Sequence, residues 1–167
     1  GEYGQARMIY QDLFKQTVSR DRGGAPNLRL QIGKTYAMQG RYQEALDYYN
    51  QGLTELESVG NKRSEVSALE NLSDVYLAQG RYADALPLAE RAVAWCRQAN
   101  QPLRLWFSLK LLGESYLGLQ RQAEARRSFT EAVSIIEKLR AQTVGGVEER
   151  QRYLSNRVSA HHLLLHL

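Results

Sequence analysis

The sequence predicts an all-α fold, a solenoid of antiparallel helix pairs. Three observations predict it: an internal repeat of about forty residues, apolar positions recurring at three- and four-residue steps, and turn-type glycines between the halves of each repeat. Composition permits such a fold. The 167 residues include only three prolines, and abundant Ala, Leu, Gln, Glu and Arg favour helix over sheet. Apolar residues make up 43% and charged residues 24%, enough to bury a continuous core and too apolar for disorder.

The repeat is legible residue by residue. Tyr36-Ala37-Met38-Gln39-Gly40-Arg41-Tyr42-Gln43-Glu44-Ala45-Leu46 is followed by Tyr76-Leu77-Ala78-Gln79-Gly80-Arg81-Tyr82-Ala83-Asp84-Ala85-Leu86. A weaker copy reads Tyr116-Leu117-Gly118-Leu119-Gln120-Arg121-Gln122-Ala123-Glu124-Ala125, and Gly1-Glu2-Tyr3-Gly4-Gln5-Ala6 matches the second half of the same unit. The anchoring alanine stands at 6, 45, 85 and 125.

Each unit divides into two helices around a tight turn. First helices carry Ile32, Gly33 and Tyr36, then Leu69, Leu72 and Tyr76, then Leu109, Leu112, Gly113 and Tyr116 on one face. Second helices carry Tyr42, Ala45, Tyr49 and Leu53, then Tyr82, Ala85, Ala89, Ala92 and Val93, then Ala125, Phe129, Ala132, Ile135 and Ile136. These are amphipathic stripes of helical period. Small residues such as Gly33, Ala45 and Gly113 allow close helix approach, and tyrosines and Phe129 fill the spaces left. Gly40 and Gly80 stand where a helix must end in left-handed backbone. Breaks are expected at Val59-Gly60-Asn61, Asn100-Gln101-Pro102 and Gly145-Gly146, with Pro102 opening a helix. The units are therefore a half unit over 1–18 and full units over about 26–60, 65–100 and 105–142. Residues 1–146 make the array and 147–167 a C-terminal capping or connecting helix, apolar at Tyr153, Leu154, Val158, Leu163, Leu164 and Leu167.

Several function classes lose support here. The net charge of +4 arises wholly from residues 101–167, with ten basic against six acidic residues. That is too diffuse for the basic stripe of a nucleic-acid binder. No apolar run is long enough to cross a bilayer. Phosphate loops, nucleophile motifs and nucleotide fingerprints are missing from the sequence, so no catalytic chemistry and no cofactor are expected. His162 and His166 are one helical turn apart, with His161 beside them, but no third ligand follows in sequence and no metal site is expected. The single Cys96 forbids an internal disulfide, fits a small buried helix residue, and agrees with a reducing, cytoplasmic setting.

The pattern of Leu-Gly/Ser, Tyr, then Gly-x-Tyr-x-x-Ala, an aromatic or Ala, and Ala resembles the tetratricopeptide repeat over roughly 26–137. HEAT- and armadillo-type units have similar lengths but do not carry the Gly-x-Tyr-x-x-Ala turn. Two departures matter. The period is 40 where the common form has about 34, so the helices should be long; and Gln120 and Gln122 replace Gly and Tyr, so the last turn should differ. The resemblance implies a right-handed superhelix and a scaffold for protein or peptide partners, without nucleic acid or membrane.

The resemblance also implies that first helices line a concave groove. Carried over by position, the lining is Asn27, Gln31, Lys34 and Met38; then Ser67, Glu70, Asn71, Asp74 and Ala78; then Phe107, Lys110, Leu111, Glu114 and Gly118. All lie off the core stripe and should be exposed, and Phe107 is the natural aromatic anchor. Some members hold a peptide carboxylate with Lys, Asn and Arg; here Leu30, Lys34, Asn71, Phe107 and Leu111 occupy those places, and only Asn71 fits. A carboxylate clamp is not expected. On the lone N-terminal helix, Tyr3, Ala6, Tyr10 and Leu13 lack the partner that would cover them, and self-association through that helix is expected.

The stretch Ser134–Gln142 followed by Glu148–Leu154 is similar to the segment joining repeats to the caspase-like CHAT domain of bacterial proteins. That resemblance implies an alternative role: a regulatory or sensing arm whose protease lies beyond Leu167. Gly1 opens inside a repeat, as expected of a piece of a longer protein.

Overall fold

In a computed structural model of the chain, residues 2–20 and 25–142 are described. They form seven helices and no strand: α1 Glu2–Arg20, α2 Ala25–Met38, α3 Tyr42–Ser58, α4 Lys62–Ala78, α5 Tyr82–Gln98, α6 Pro102–Gly118 and α7 Gln122–Gln142. The all-α repeat class is as expected. Gly145-Gly146, the terminal histidines and the helix expected over 147–167 lie outside the described residues.

The sequence repeat of forty resolves into two equal halves. Helices α3, α4, α5 and α6 each have 17 residues. The residues in left-handed backbone are Gly40, Gly60, Gly80, Asn100 and Gln120, with φ of 72°, 69°, 70°, 49° and 60°. These positions recur every twentieth residue. Around Gly40, Gly60, Asn100 and Gln120 the chain makes one hydrogen-bond pattern: Arg41 N donates to Tyr36 O at 3.0 Å, Asn61 N to Leu56 O at 3.1 Å, Gln101 N to Cys96 O at 2.9 Å and Arg121 N to Tyr116 O at 2.8 Å. Each is the long bond of a Schellman motif, which satisfies carbonyls the helix end leaves open. The substitution of Gln120 for glycine therefore leaves the turn in place rather than loosening it, with the conformational cost borne by a side chain. Pro102 sits in the first turn of α6, where its missing N–H costs nothing.

The described residues form two compact units, divided between Gln79 and Gly80. In the first, α1 packs on α2, α2 on α3, and α3 on α4. Of the expected stripes, Ile32 and Tyr36 of α2, Ala45, Tyr49 and Leu53 of α3, and Leu69 and Leu72 of α4 are buried, joined in the core by Leu30, Leu56, Val66 and Val75. The ring of Tyr49 lies against the bare backbone of Gly33, where an added Cβ would stand 2.7 Å from Cε1. In the second unit α5 packs on α6 and α6 on α7, burying Ala85, Ala89, Val93, Cys96, Leu109, Leu112, Ala125 and Phe129. Cys96 is sealed in this core, with Sγ 3.7 Å from Ser108 Oγ. Phe129 packs on Gly113 as Tyr49 does on Gly33.

On α1 the expected apolar stripe is divided. Ala6 and Tyr10 are half-buried, whereas Tyr3 and Leu13 are exposed. The most exposed apolar residues of α1 are Met8 at 68%, opposite that stripe, and Ile9 at 60%, at its edge one turn before Leu13. Arg7 ties the inner face of α1 to α2, donating to Gln39 Oε1 at 3.2 Å and lying 5.0 Å over the Tyr36 ring.

Candidate functional site

Within the first unit, the first helices α2 and α4 and the start of α3 enclose a cleft of about 280 Å³. It is lined by Lys34, Ala37, Met38, Tyr42, Tyr49, Asn71, Asp74, Val75 and Ala78. Spacing explains the grouping. Lys34 and Met38 are four residues apart on α2, and Asn71, Asp74 and Ala78 follow at three and four on α4, so each set shares one helix face. Five of the residues expected from position in the repeat, Lys34, Met38, Asn71, Asp74 and Ala78, thus come together.

Other expected lining residues do not join them. Asn27 and Gln31 are exposed on α2 but stand outside the cleft, and Ser67 is half-buried, its hydroxyl donating to Arg63 O at 3.5 Å. The expectation of exposure fails at Glu70 and Leu111, which are 5% and 0% exposed. The core stripe of these first helices is wider than one residue per turn: Glu70 follows Leu69 round the helix toward Val66, and Leu111 lies with Ser108 and Ser115 on a buried ridge. In the second unit Phe107, Lys110, Glu114 and Gly118 are half-buried on α6. Lys110 Nζ lies 5.9 Å from the Phe107 ring centroid and 2.9 Å from Glu114 Oε1. The anchor and both charges there already engage one another.

Tyr49 is the functional candidate that sequence reasoning assigned to the core. It is only 2% exposed, yet it lines the cleft floor. Its hydroxyl makes no hydrogen bond among the described residues and is not sealed from solvent, so it opens into the cleft. Burial first, then the Asp74 carboxylate, push its phenol well above the ordinary value, and it stays neutral. Lys34 and Asp74 form no ion pair with each other or with another described residue. The signal available in the sequence was a contrast: the same register holds Ala89 and Phe129 in the other second helices, and only Tyr49 carries a polar end.

The turns bordering these faces share a second device. Arg41 pairs with Glu44, Arg81 with Asp84 at 2.8 Å, and Arg121 with Glu124 at 2.9 Å. The guanidiniums of Arg41 and Arg121 also cover the rings of Tyr36 and Tyr116, at 4.6 and 4.5 Å. Hydrogen bonding from Arg41 and Arg121 holds the carboxyls of Glu44 and Glu124 below the ordinary glutamate value. Tyr116 donates to Glu90 Oε1 at 3.1 Å. No group of three or more metal-ligating side chains occurs among the described residues.

Two family models, each described as Tetratricopeptide repeat, match residues 1–59 and 64–138. The chain is built of tetratricopeptide repeats. A curated relative, regulatory protein AfsR of Streptomyces griseus, is 34% identical over 135 residues, which is 81% of this chain and 12% of that protein. Intraflagellar transport protein 88 homolog of Homo sapiens is 27% identical over 84 residues, 50% of this chain and 10% of that one. The chain therefore spans about a tenth of the length of the curated relatives it matches. Among solved structures, BtubC (BKLC) from P. vanneervenii gives a TM-score of 0.76 at 17% identity, covering 83% of this chain and 58% of that chain. A structure of nearly identical TPR-like repeats from Podosopora anserina gives 0.63 at 18%, covering 98% and 84%. At these identities the structures speak for the repeat fold alone. They agree with the turns and helix pairs described above.

Proposed function

We propose that this repeat chain is a non-catalytic scaffold that binds a peptide or helix of a partner protein on the face formed by its first helices. The observation that carries this reading is the gathering of Lys34, Met38, Asn71 and Asp74 around one open cleft. Exposed charges beside apolar walls suit recognition of an extended segment, with side chains entering pockets and polar groups fixing register. Phe107, Lys110 and Glu114 of α6 are the matching set in the second unit. Screening a random peptide library against the whole chain, then mapping a bound peptide by amide NMR shifts, tests it. Shifts concentrated on α2, α4 and α6 support the reading; shifts confined to the outer faces of α3 and α5 overturn it.

A second reading is favoured by one observation: the matched relative AfsR bears the name of a regulatory protein and is about eight times as long as the matched segment. The chain would then be the regulatory or sensing arm of a larger protein. The assignment of a CHAT-like protease as the attached domain rests on the sequence resemblance of 134–154 alone, and sequencing the gene past the Leu167 codon decides it. No helix among the described residues is long and apolar enough to cross a membrane, and a cytoplasmic setting belongs to this proposal. So does self-association through α1, for which the exposure of Met8 and Ile9 is the support.

A further inference from the structure

We propose that the α2/α4 cleft of the first unit is a pocket for one basic side chain, lysine or arginine, of the partner segment. The inference rests on the peptide-binding reading above and assigns its chemistry at this point. Three features argue for a cation. The floor holds the Tyr49 hydroxyl, which is neutral, has no partner among the described residues and is free to accept. Beside it Asp74 is a carboxylate without an ion pair, and Asn71 adds a carboxamide oxygen. Three acceptors thus line one cleft. The walls suit the rest of such a side chain, because Ala37, Met38, Val75 and Ala78 offer apolar surface to an alkyl stem.

The competing occupant is an acidic side chain held by Lys34. The field at the floor argues against it: the charge acting on the Tyr49 phenol is that of Asp74, which disfavours a second anion there. Lys34 is exposed on α2 and is a rim group in this reading. The volume of about 280 Å³ accommodates a single long side chain rather than a folded element.

The chain supplies its own reporter. Its two methionines are Met38 in the cleft and Met8 on the exposed surface of α1, so methyl-labelled methionine gives one sensing and one control signal. The probes are N-acetyl-arginine amide and N-acetyl-lysine amide, with N-acetyl-norleucine amide and N-acetyl-glutamate amide as neutral and acidic controls, titrated into the whole chain. The basic probes should shift the Met38 methyl saturably at millimolar concentration while Met8 stays still. Asp74→Asn should weaken this about ten-fold and Tyr49→Phe about three-fold, the range for a charged and a neutral hydrogen bond. Lys34→Gln should leave affinity unchanged or tighter. The proposal is overturned if the glutamate probe saturates first, if norleucine binds as well as arginine, if no probe saturates, or if Lys34→Gln abolishes binding. Library peptides that bind these helices without any basic residue would sink this pocket and leave the scaffold reading standing. Basic probes that saturate while no peptide binds would do the reverse.

Discussion

At Gln120 an L-residue holds φ of 60°, a backbone region that favours glycine because a Cβ crowds the neighbouring carbonyl. The same position in the preceding repeat is Gly80 at φ of 70°. Exchanging the two chemistries should shift stability in opposite directions. Gln120→Gly should stabilise the second unit by up to about 1 kcal/mol, and Gly80→Val should destabilise by about 1 kcal/mol or more. Urea denaturation followed by circular dichroism reads both; equal midpoints for the wild type and both variants would refute the backbone argument. The arginine clips make a prediction of their own in pH. Glu44 and Glu124 titrate below the ordinary glutamate value because Arg41 and Arg121 hydrogen-bond their charged forms. A depressed carboxyl pKa contributes stability that is fully present above the unfolded value and lost as pH falls through the folded one. Melting temperature should therefore drop less between neutral and acid pH in Arg41→Gln/Arg121→Gln than in the wild type, the gap between them being full at neutral pH and closing as pH falls below the ordinary glutamate range.

Helix pairing depends on matching small residues to large rings. A Cβ at Gly113 would fall inside contact distance of three atoms of the buried Phe129 ring. Alanine gains about 1 kcal/mol of helix propensity over glycine, while overpacking a filled core costs about 1–3 kcal/mol. The second term should win at a ring with no room to turn. Gly113→Ala is expected to destabilise by about 1 kcal/mol, and Phe129→Leu in the same chain should remove most of that penalty beyond its own cavity cost. A double-mutant cycle by chemical denaturation measures the coupling, and additive effects would mean the ring relaxes freely. The register supports the trade. Where Gly33 and Gly113 face Tyr49 and Phe129, the middle repeat carries Ser73 and Ala89 at the corresponding sequence positions.

Across the whole chain, binding and folding should be separable. Lys34 and Asp74 are exposed and unpaired among the described residues, whereas Glu114 pairs with Lys110 at 2.9 Å. Combined charge reversal at Lys34, Asp74 and Glu114 should leave helical content unchanged and cost within about 0.5 kcal/mol, chiefly the lost helix ion pair. Affinity for a library-selected peptide should fall at least ten-fold by calorimetry. Unfolding of the triple variant would show that these faces belong to the core. Self-association is the other property of the whole molecule. Replacing Met8 and Ile9 by lysine should abolish any concentration-dependent rise in sedimentation coefficient, since their exposed side chains are the most apolar surface of α1. A rise that survives the change would locate the contact elsewhere.

The sequence by itself determined the repeat, its alanine register, the glycine turns and the amphipathic stripes, because each is a local demand of backbone geometry or helical period. From those, the class of the fold and the grouping of Lys34, Met38, Asn71 and Asp74 on first-helix faces were legible. Tertiary structure alone decided the rest. Glu70 and Leu111 sit beside the core stripe in sequence, and only the packing of neighbouring helices set the width of the buried face that takes them in. Tyr49 read as core because its ring is core, pressed on Gly33. Whether a tyrosine hydroxyl ends in protein or in a cleft depends on where α4 lies against α3, and that distance is written in no single helix.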